Sequence, residues 1–335
     1  MSTNERGPVV VITGASAGVG RATAQEYAKL GARIGLLARG KEGLEGARRD
    51  VEELGGEALA IPTDVADADQ VEAAARQVEE RFGPIDIWVN NAMTSVFKPV
   101  HEIAPDEYKR VTEVTYLGVV YGTMAALKRM RPRDRGSIVQ VGSALAYRAI
   151  PLQSAYCGSK HGIQGFTESL RTELIHDNSK IKLTMVNLSA MNTPQFSWVR
   201  TTLPNKPQPV PPIYQPEVAA RAIVWAAQQN RREIDVGAPT TIIKALNAVV
   251  PGLLDKYLAR TGFKSQQTDE PIDPDRTDNL FSPVPGDHGA RGAFDDRSHD
   301  HSIQFKFTQH QHAVLLTAII AVASTLLALM NRGDS

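Results

Sequence analysis

Tyr156 and Lys160 lie four residues apart in a stretch of helical period, so their side chains share one helix face. A free phenol titrates at ~10 and is a poor acid–base catalyst at neutral pH. An ammonium ~4 Å away, at an effective dielectric of ~20, would lower that value by roughly three units, into the range useful for proton transfer. Ser143, upstream of the pair at the end of a β-branched run, offers a hydroxyl that can orient and stabilise a reacting oxygen. Together the three groups suit chemistry at a carbonyl or alcohol oxygen. An ordinary exposed Tyr–Lys pair would need neither Ser143 nor a nucleotide loop in the same chain.

Such a loop is present. Thr13-Gly14-Ala15-Ser16-Ala17-Gly18-Val19-Gly20 follows directly on an apolar run and opens a helix-period stretch. Its glycines let the main chain turn sharply and approach a pyrophosphate, and a helix N-terminus favours the anion. Gly14, Ser16, Gly18, Val19 and Gly20 are therefore candidate cofactor contacts. The next strand ends Leu37-Ala38-Arg39-Gly40-Lys41, with no carboxylate to bind a ribose 2′-hydroxyl. Arg39 can instead pair with a 2′-phosphate, which selects NADP(H) over NAD(H).

These side chains need a scaffold that gathers strand ends and helix starts. From residue 8 to about 263, short β-branched runs alternate with helix-period stretches, the pattern of a parallel sheet wrapped by helices. The expected strands are 9–12, 32–38, 58–61, 85–90, 137–141, 181–186 and 233–236. The expected helices are 21–30, 43–54, 69–81, 106–130, 155–175, 217–229 and 242–258. Residues 1–263 form one α/β domain on this reading. Residues 195–215, rich in proline and carrying Phe196, Trp198 and Tyr214, are placed to cover the site as a lid. Its aromatics either favour a hydrophobic substrate or anchor the lid to the domain.

The order and spacing of Thr-Gly-x-x-x-Gly-x-Gly at 13–20, Asn90-Asn91-Ala92, Ser143 and Tyr156-x-x-x-Lys160 resemble the single-domain branch of the short-chain dehydrogenase/reductase family. The resemblance covers about residues 8–240. It implies a doubly wound, Rossmann-type sheet and an oxidoreductase that moves a hydride between NADP(H) and a small carbonyl/alcohol substrate. It also implies that Lys160 grips the nicotinamide ribose beside Tyr156, that Asp64 and Val65 hold the adenine, and that Asn90, Asn91 and Ala92 line the cofactor. Thr193 matches the position that contacts the carboxamide. The helices at 106–130 and 155–175 resemble those that pair subunits, so a homo-oligomer, dimer or tetramer, is expected.

Three departures stand out. Thr115 occupies the place of a frequent Asn and is carried as a catalytic candidate through its hydroxyl. Met93 replaces the glycine after Asn-Asn-Ala, and Leu188-Ser189 stands where Pro-Gly is common. They leave a second reading open: a cofactor-binding scaffold or redox sensor with little or no turnover.

The 37 basic and 37 acidic side chains cancel, which disfavours nucleic acid as a partner. A single cysteine, Cys157, excludes an intrachain disulfide and suits a reducing compartment. Residues 1–8 lack the apolar stretch of a cleaved signal peptide. Residues 264–312, acidic and proline-containing, are expected to be a flexible tether with little regular structure. Five of the eight histidines fall in or beside it, read as solvated linker residues in preference to a metal site. Residues 313–330 carry no charge, and as a helix they would be ~27 Å long, close to a bilayer core. Their two readings are a membrane anchor behind a cytoplasmic catalytic domain, the favoured one, and a helix buried in an oligomer.

Overall fold

The computed structural model describes residues 7–310. Among them, seven parallel strands form one sheet: β1 (Val9–Thr13), β2 (Arg33–Ala38), β3 (Glu57–Pro62), β4 (Ile87–Asn90), β5 (Ser137–Ser143), β6 (Lys182–Leu188) and β7 (Glu233–Val236). Their spatial order is β3-β2-β1-β4-β5-β6-β7. The chain thus winds outward from β1 in one direction, then returns to β4 and winds the other way. The crevice between β1 and β4 is the switch point where open α/β sheets bind ligands.

Val9 to Ile12 are buried on both faces of the sheet, as a run of four β-branched residues requires. Val10 and Ile12 pack with Tyr27 of α1 (Gly18–Ala28), Leu44 of α2 (Lys41–Glu53) and Val218 and Ile223 of α8 (Pro216–Gln228). Val9 and Val11 face the other way, toward Val71 and Val78 of α3 (Ala68–Phe82), Ala126 of α5 (Gly118–Met130) and Leu170 of α6 (Ser154–His176). Two cores therefore clamp the sheet and fix the ends of its strands.

The helix expected at 106–130 is interrupted. It runs as α4 (Pro105–Thr112), a π-helical turn over Glu113–Leu117, and α5. Thr115 sits inside that turn and its hydroxyl donates to the carbonyl of Thr94 at 2.8 Å. Such insertions mark places where a local requirement overrides the regular ladder. The helix expected at 242–258 is two helices, α9 (Ala238–Val249) and α10 (Pro251–Ser265). Pro251 has no N–H to donate and forces its predecessor out of the helical region; Val250 has φ −134° and ψ 51°.

The segment expected to be a tether has little regular structure, but it is not free. Residues 266–300 lie across the domain, and residues 303–310 are helical. Leu280, Phe294 and Phe305 are buried in the main body. Its acidic residues pair with domain arginines: Asp287 with Arg21 at 2.8 Å and Asp278 with Arg200 at 2.9 Å. Three widely spaced apolar anchors and these ion pairs offset the entropy that composition alone says the segment cannot recover. The proposed anchor at 313–330 lies outside the described residues. Among the described residues no helix is long and apolar enough to cross a membrane.

Candidate active site

The carboxyl ends of β1, β4, β5 and β6 open into a cleft of about 560 Å³. Arg39 stands at one end of it, and Ser143, Tyr156 and Lys160 at the other. Sequence and structure agree on why these three meet. Ser143 is the last residue of β5, where the sheet exposes side chains to the crevice, and α6 begins eleven residues later with Tyr156 and Lys160 in its first turns.

Tyr156 lies beside Ser143, whose hydroxyl favours the phenolate. Lys160 is buried, its Nζ donating to the carbonyl of Val141 at 2.7 Å and lying 5.5 Å from the Tyr156 ring centroid. Burial lowers the Lys160 pKa to about 8. Burial also pushes the Tyr156 phenol above its ordinary value, against a partial lowering by the Ser143 hydroxyl. The lowering expected from a nearby ammonium is thus replaced by a rise. The cause is that the ammonium points at a main-chain carbonyl while both groups are desolvated. A phenol shifted upward keeps its proton at neutral pH, and added positive charge beside it is what would make it a better acid.

Thr115 is placed differently from its candidate role. Fully buried, it donates to the Thr94 carbonyl and accepts the Thr94 N–H at 3.0 Å. It braces the loop after β4 and does not line the cleft. Asn90 is likewise spent on structure. Its amide donates to Thr123 of α5 and Gln140 of β5 at 3.0 and 2.9 Å and accepts from the Trp88 indole at 2.8 Å, tying β4 to its neighbours. Asn91 and Ala92 do line the cleft. Both main-chain amides donate to the Thr13 hydroxyl, at 2.9 and 3.0 Å, and Asn91 Nδ2 reaches the Thr13 carbonyl at 2.9 Å. Thr13 therefore staples β1 to β4 at the switch point, a role its place in the glycine motif did not disclose.

The glycine loop fits a dinucleotide. Gly14 has φ +67°, and a Cβ there would lie 2.8 Å from Ala92 Cα. Gly18 has φ +59°, and a Cβ on Gly20 would overlap the Gly14 carbonyl. Helix α1 carries no side-chain cap at its start and no acidic residue in its first turn, so no carboxylate of that turn offsets its dipole. Ser16, Val19, Asp64, Val65 and Thr193 also line it.

Comparison with known proteins decides the family. The short chain dehydrogenase family model matches residues 8–203. The chain belongs to the short-chain dehydrogenase family of oxidoreductases. It is similar to the uncharacterized oxidoreductase YxnA of Bacillus subtilis (strain 168), 32% identical over 282 residues that cover 84% of this chain and 79% of that one. It is also similar to a 3-dehydrosphinganine reductase of Danio rerio, 34% identical over 248 residues, covering 72% of this chain and 74% of that protein. Among solved structures, an actinorhodin polyketide ketoreductase variant with NADPH superposes with a TM-score of 0.62 at 28% identity, over 70% of this chain and 97% of the other.

This short-chain dehydrogenase adds a strap that its motifs do not announce. Residues 279–289 cross the Arg39 end of the cleft. Arg39 Nη1 donates to the carbonyls of Leu280 and Phe281 at 3.3 and 3.0 Å, and its Nη2 donates to that of Asn279. Arg110, paired with Asp64 at 2.5 Å, donates to the Leu280 carbonyl as well. The N–H of Gly18 donates to the Gly289 carbonyl at 3.1 Å. Farther along, Asn192 is fully buried; its Oδ1 accepts the Phe294 N–H at 3.1 Å and its Nδ2 donates to Asp295 at 2.9 Å. Asn192, in the loop after β6, is thus the post to which the strap is tied. Lid aromatics take part. Phe196 of the short α7 (Gln195–Trp198) packs edge-on against Phe97 and Phe294, and Trp198 against His288 of the strap, with 4.7 Å between the Trp198 and His288 ring centroids. Gln153 and Gln266, both buried, bond at 2.7 Å and join the start of α6 to the end of α10.

Proposed function

We propose that this chain transfers a hydride between NADP(H) and a hydrophobic carbonyl/alcohol substrate. The observation that carries the reading is the meeting of Ser143, Tyr156 and Lys160 in one cleft whose far end holds Arg39. Bound NADP(H) supplies the hydride for reduction and accepts it in oxidation. The residues of the chain do the rest. Ser143 hydrogen-bonds the substrate oxygen, and Tyr156, whose proton is retained at neutral pH, donates it to that oxygen as negative charge develops. Lys160 holds the ribose hydroxyls and supplies the positive charge that Tyr156 faces after giving up its proton. The loop from Gly14 to Gly20 receives the pyrophosphate, Arg39 the 2′-phosphate, Asp64 and Val65 the adenine, and Asn91, Ala92 and Thr193 the nicotinamide side.

Two observations support NADP(H) over NAD(H): Arg39 follows the end of β2 with no carboxylate in residues 37–41, and the ketoreductase neighbour is one with NADPH. Met93, Phe196, Ile243 and Leu258 line the substrate end and support an apolar substrate, as does the similarity to a reductase named for 3-dehydrosphinganine. The strap favours the second reading in one respect, since Gly18 and part of Arg39 are already bonded to its carbonyls. Following NADPH absorbance with a panel of long-chain and cyclic ketones separates the two. Oxidation of NADPH by any of them supports the enzyme; tight NADPH binding without turnover on the panel or on the alcohols supports the scaffold.

Tyr108 of α4, Met124 of α5 and Ile175 of α6 are exposed, which supports pairing of subunits through these helices. A monomeric mass in solution would remove that part of the proposal. The catalytic domain is proposed to face the cytoplasm, held at a membrane through residues 313–330; recovery of the full chain in the soluble fraction without detergent contradicts it.

A further inference from the structure

Helices α9 and α10 stand on the domain as a hairpin that buries almost nothing. Of α9 only Thr240 is buried, and of α10 only Gly262, although α9 reads APTTIIKALNAV. Ile242, Leu246 and Val249 follow one another at helical spacing along α9 and are 55, 41 and 78% exposed. Leu253 and Tyr257 continue the ridge on α10 at 64 and 61% exposed, and Phe263 joins them. Six of the sixteen large apolar side chains exposed among the described residues fall on this one hairpin, so the patch is a feature of the hairpin and not a scatter of surface residues.

Charge selects what covers it. Lys256, Arg260 and Lys264 recur every four residues on the same exposed side of α10 as Leu253 and Tyr257. None of the three makes an ion pair among the described residues. The one carboxylate of the hairpin, Asp255, is held by Arg148 at 2.5 Å, and Lys244 is held by Glu233 and Asp235. The exposed face therefore presents apolar side chains interleaved with three unpaired cations and no free carboxylate. A second copy docked face to face would set these cations against their own kind. An anionic phospholipid surface satisfies both features at once, because the apolar side chains enter the acyl boundary while Lys and Arg reach the phosphates.

The inner edge of the same hairpin is a wall of the cleft. Pro239 and Ile243 of α9 and Tyr257, Leu258, Thr261 and Gly262 of α10 line it. Tyr257 belongs to both surfaces, at the lip where cleft and ridge meet. We propose that the α9–α10 hairpin docks on an anionic bilayer and opens the substrate end of the cleft to it, so that the substrate is a long-chain carbonyl or alcohol resident in lipid. The docking stands on the hairpin alone; the substrate clause rests on the proposed oxidoreductase reading.

The test uses the full chain with an environment-sensitive fluorophore on Val249→Cys, Cys157 being buried and protected from label. Val249 does not line the cleft. Vesicles of phosphatidylcholine with phosphatidylglycerol should blue-shift the probe, and vesicles of phosphatidylcholine alone should do so far less. Reversing Lys256, Arg260 and Lys264 to Glu should weaken the partition about a hundredfold. Fluorescence requires no turnover, so insertion with no activity would leave docking standing and remove the oxidoreductase reading. A long-chain ketone carried in the anionic vesicles should be reduced faster than the same ketone in neutral ones. Three outcomes overturn the docking: a probe that stays in water while the chain co-sediments with vesicles, a blue shift without lipid that grows with protein concentration, and one without lipid that is independent of concentration. The first assigns membrane binding to another part of the chain, the second covers the ridge with a second copy, and the third covers it with another segment of this chain.

Discussion

Arg21, in the helix that opens the cofactor loop, is ion-paired at 2.8 Å with Asp287, 266 residues farther along the chain. Arg21 is buried and also holds Asp50 at 2.7 Å, so its guanidinium fixes the strap to both α1 and α2. Gly46 leaves the room this requires; a Cβ there would overlap the Asp287 carboxylate. Asp287→Ala should therefore cost about 1 kcal/mol of stability, Arg21 keeping its second partner. It should also speed NADPH release severalfold by loosening the strap. Stopped-flow fluorescence of bound NADPH measures the rate, and an unchanged value would show that the strap does not gate the cofactor.

Arg39 has five N–H groups, of which three donors point at strap carbonyls. The remainder are available to a 2′-phosphate. Arg39→Asp should reduce NADPH affinity by about two orders of magnitude and NADH affinity by a few-fold, because only the former carries the charge that a carboxylate repels. Equal losses for both cofactors would mean that Arg39 serves the strap alone.

Lys160 gives a pH signature. Burial disfavours its ammonium, so in the free protein it titrates at about 8, below its ordinary value of 10.5. The cofactor ribose and phosphates favour the charged form. Affinity for NADPH should then be full below about pH 8 and decline as the pH rises through it. The lowered pKa also means that the fold is disfavoured by Lys160 at neutral pH and relieved of that cost as the pH rises toward 10.5. Calorimetric titrations across this range check the first statement. A flat affinity, with Lys160→Met behaving as wild type, would contradict the role given to the ammonium.

Thr115 was a catalytic candidate by position, and its hydroxyl is committed to both main-chain groups of Thr94. Thr115→Val leaves those buried groups unpaired and should cost about 1–3 kcal/mol, seen as a lower Tm. Turnover per folded molecule should change little at temperatures where the variant remains folded. A large fall in kcat with an unchanged Tm would return Thr115 to the catalytic set.

Local patterns carried most of the sheet and the chemistry. Val9 to Ile12 announce a buried strand, the glycine spacing announces the turn after it, and Tyr156 and Lys160 share a helix face because they are one turn apart. These signals are short-range, so they survive without tertiary information. The strap was illegible for the opposite reason. Leu280, Phe294 and Phe305 have no period, and the acids between them look like solvated linker charges until Arg21 and Arg200 are found beside them in space. Asn192 gave no sign that it would become a buried post. Pro251 is a breaker visible in the sequence, but the apolar period runs across it and hides the break. The sign of the Tyr156 shift needed the direction of Lys160 Nζ, which spacing does not determine.

The central claim is that Tyr156 passes its proton to the substrate oxygen in a site assembled with Ser143 and Lys160. Single-turnover rates of Tyr156→Phe with saturating NADPH and a reducible ketone test it most directly. The substitution removes one hydroxyl and leaves the ring. The account predicts NADPH affinity within a few-fold of wild type and a chemical step slower by about 10²–10⁴. A chemical rate within a few-fold of wild type, with NADPH bound as tightly, would contradict it.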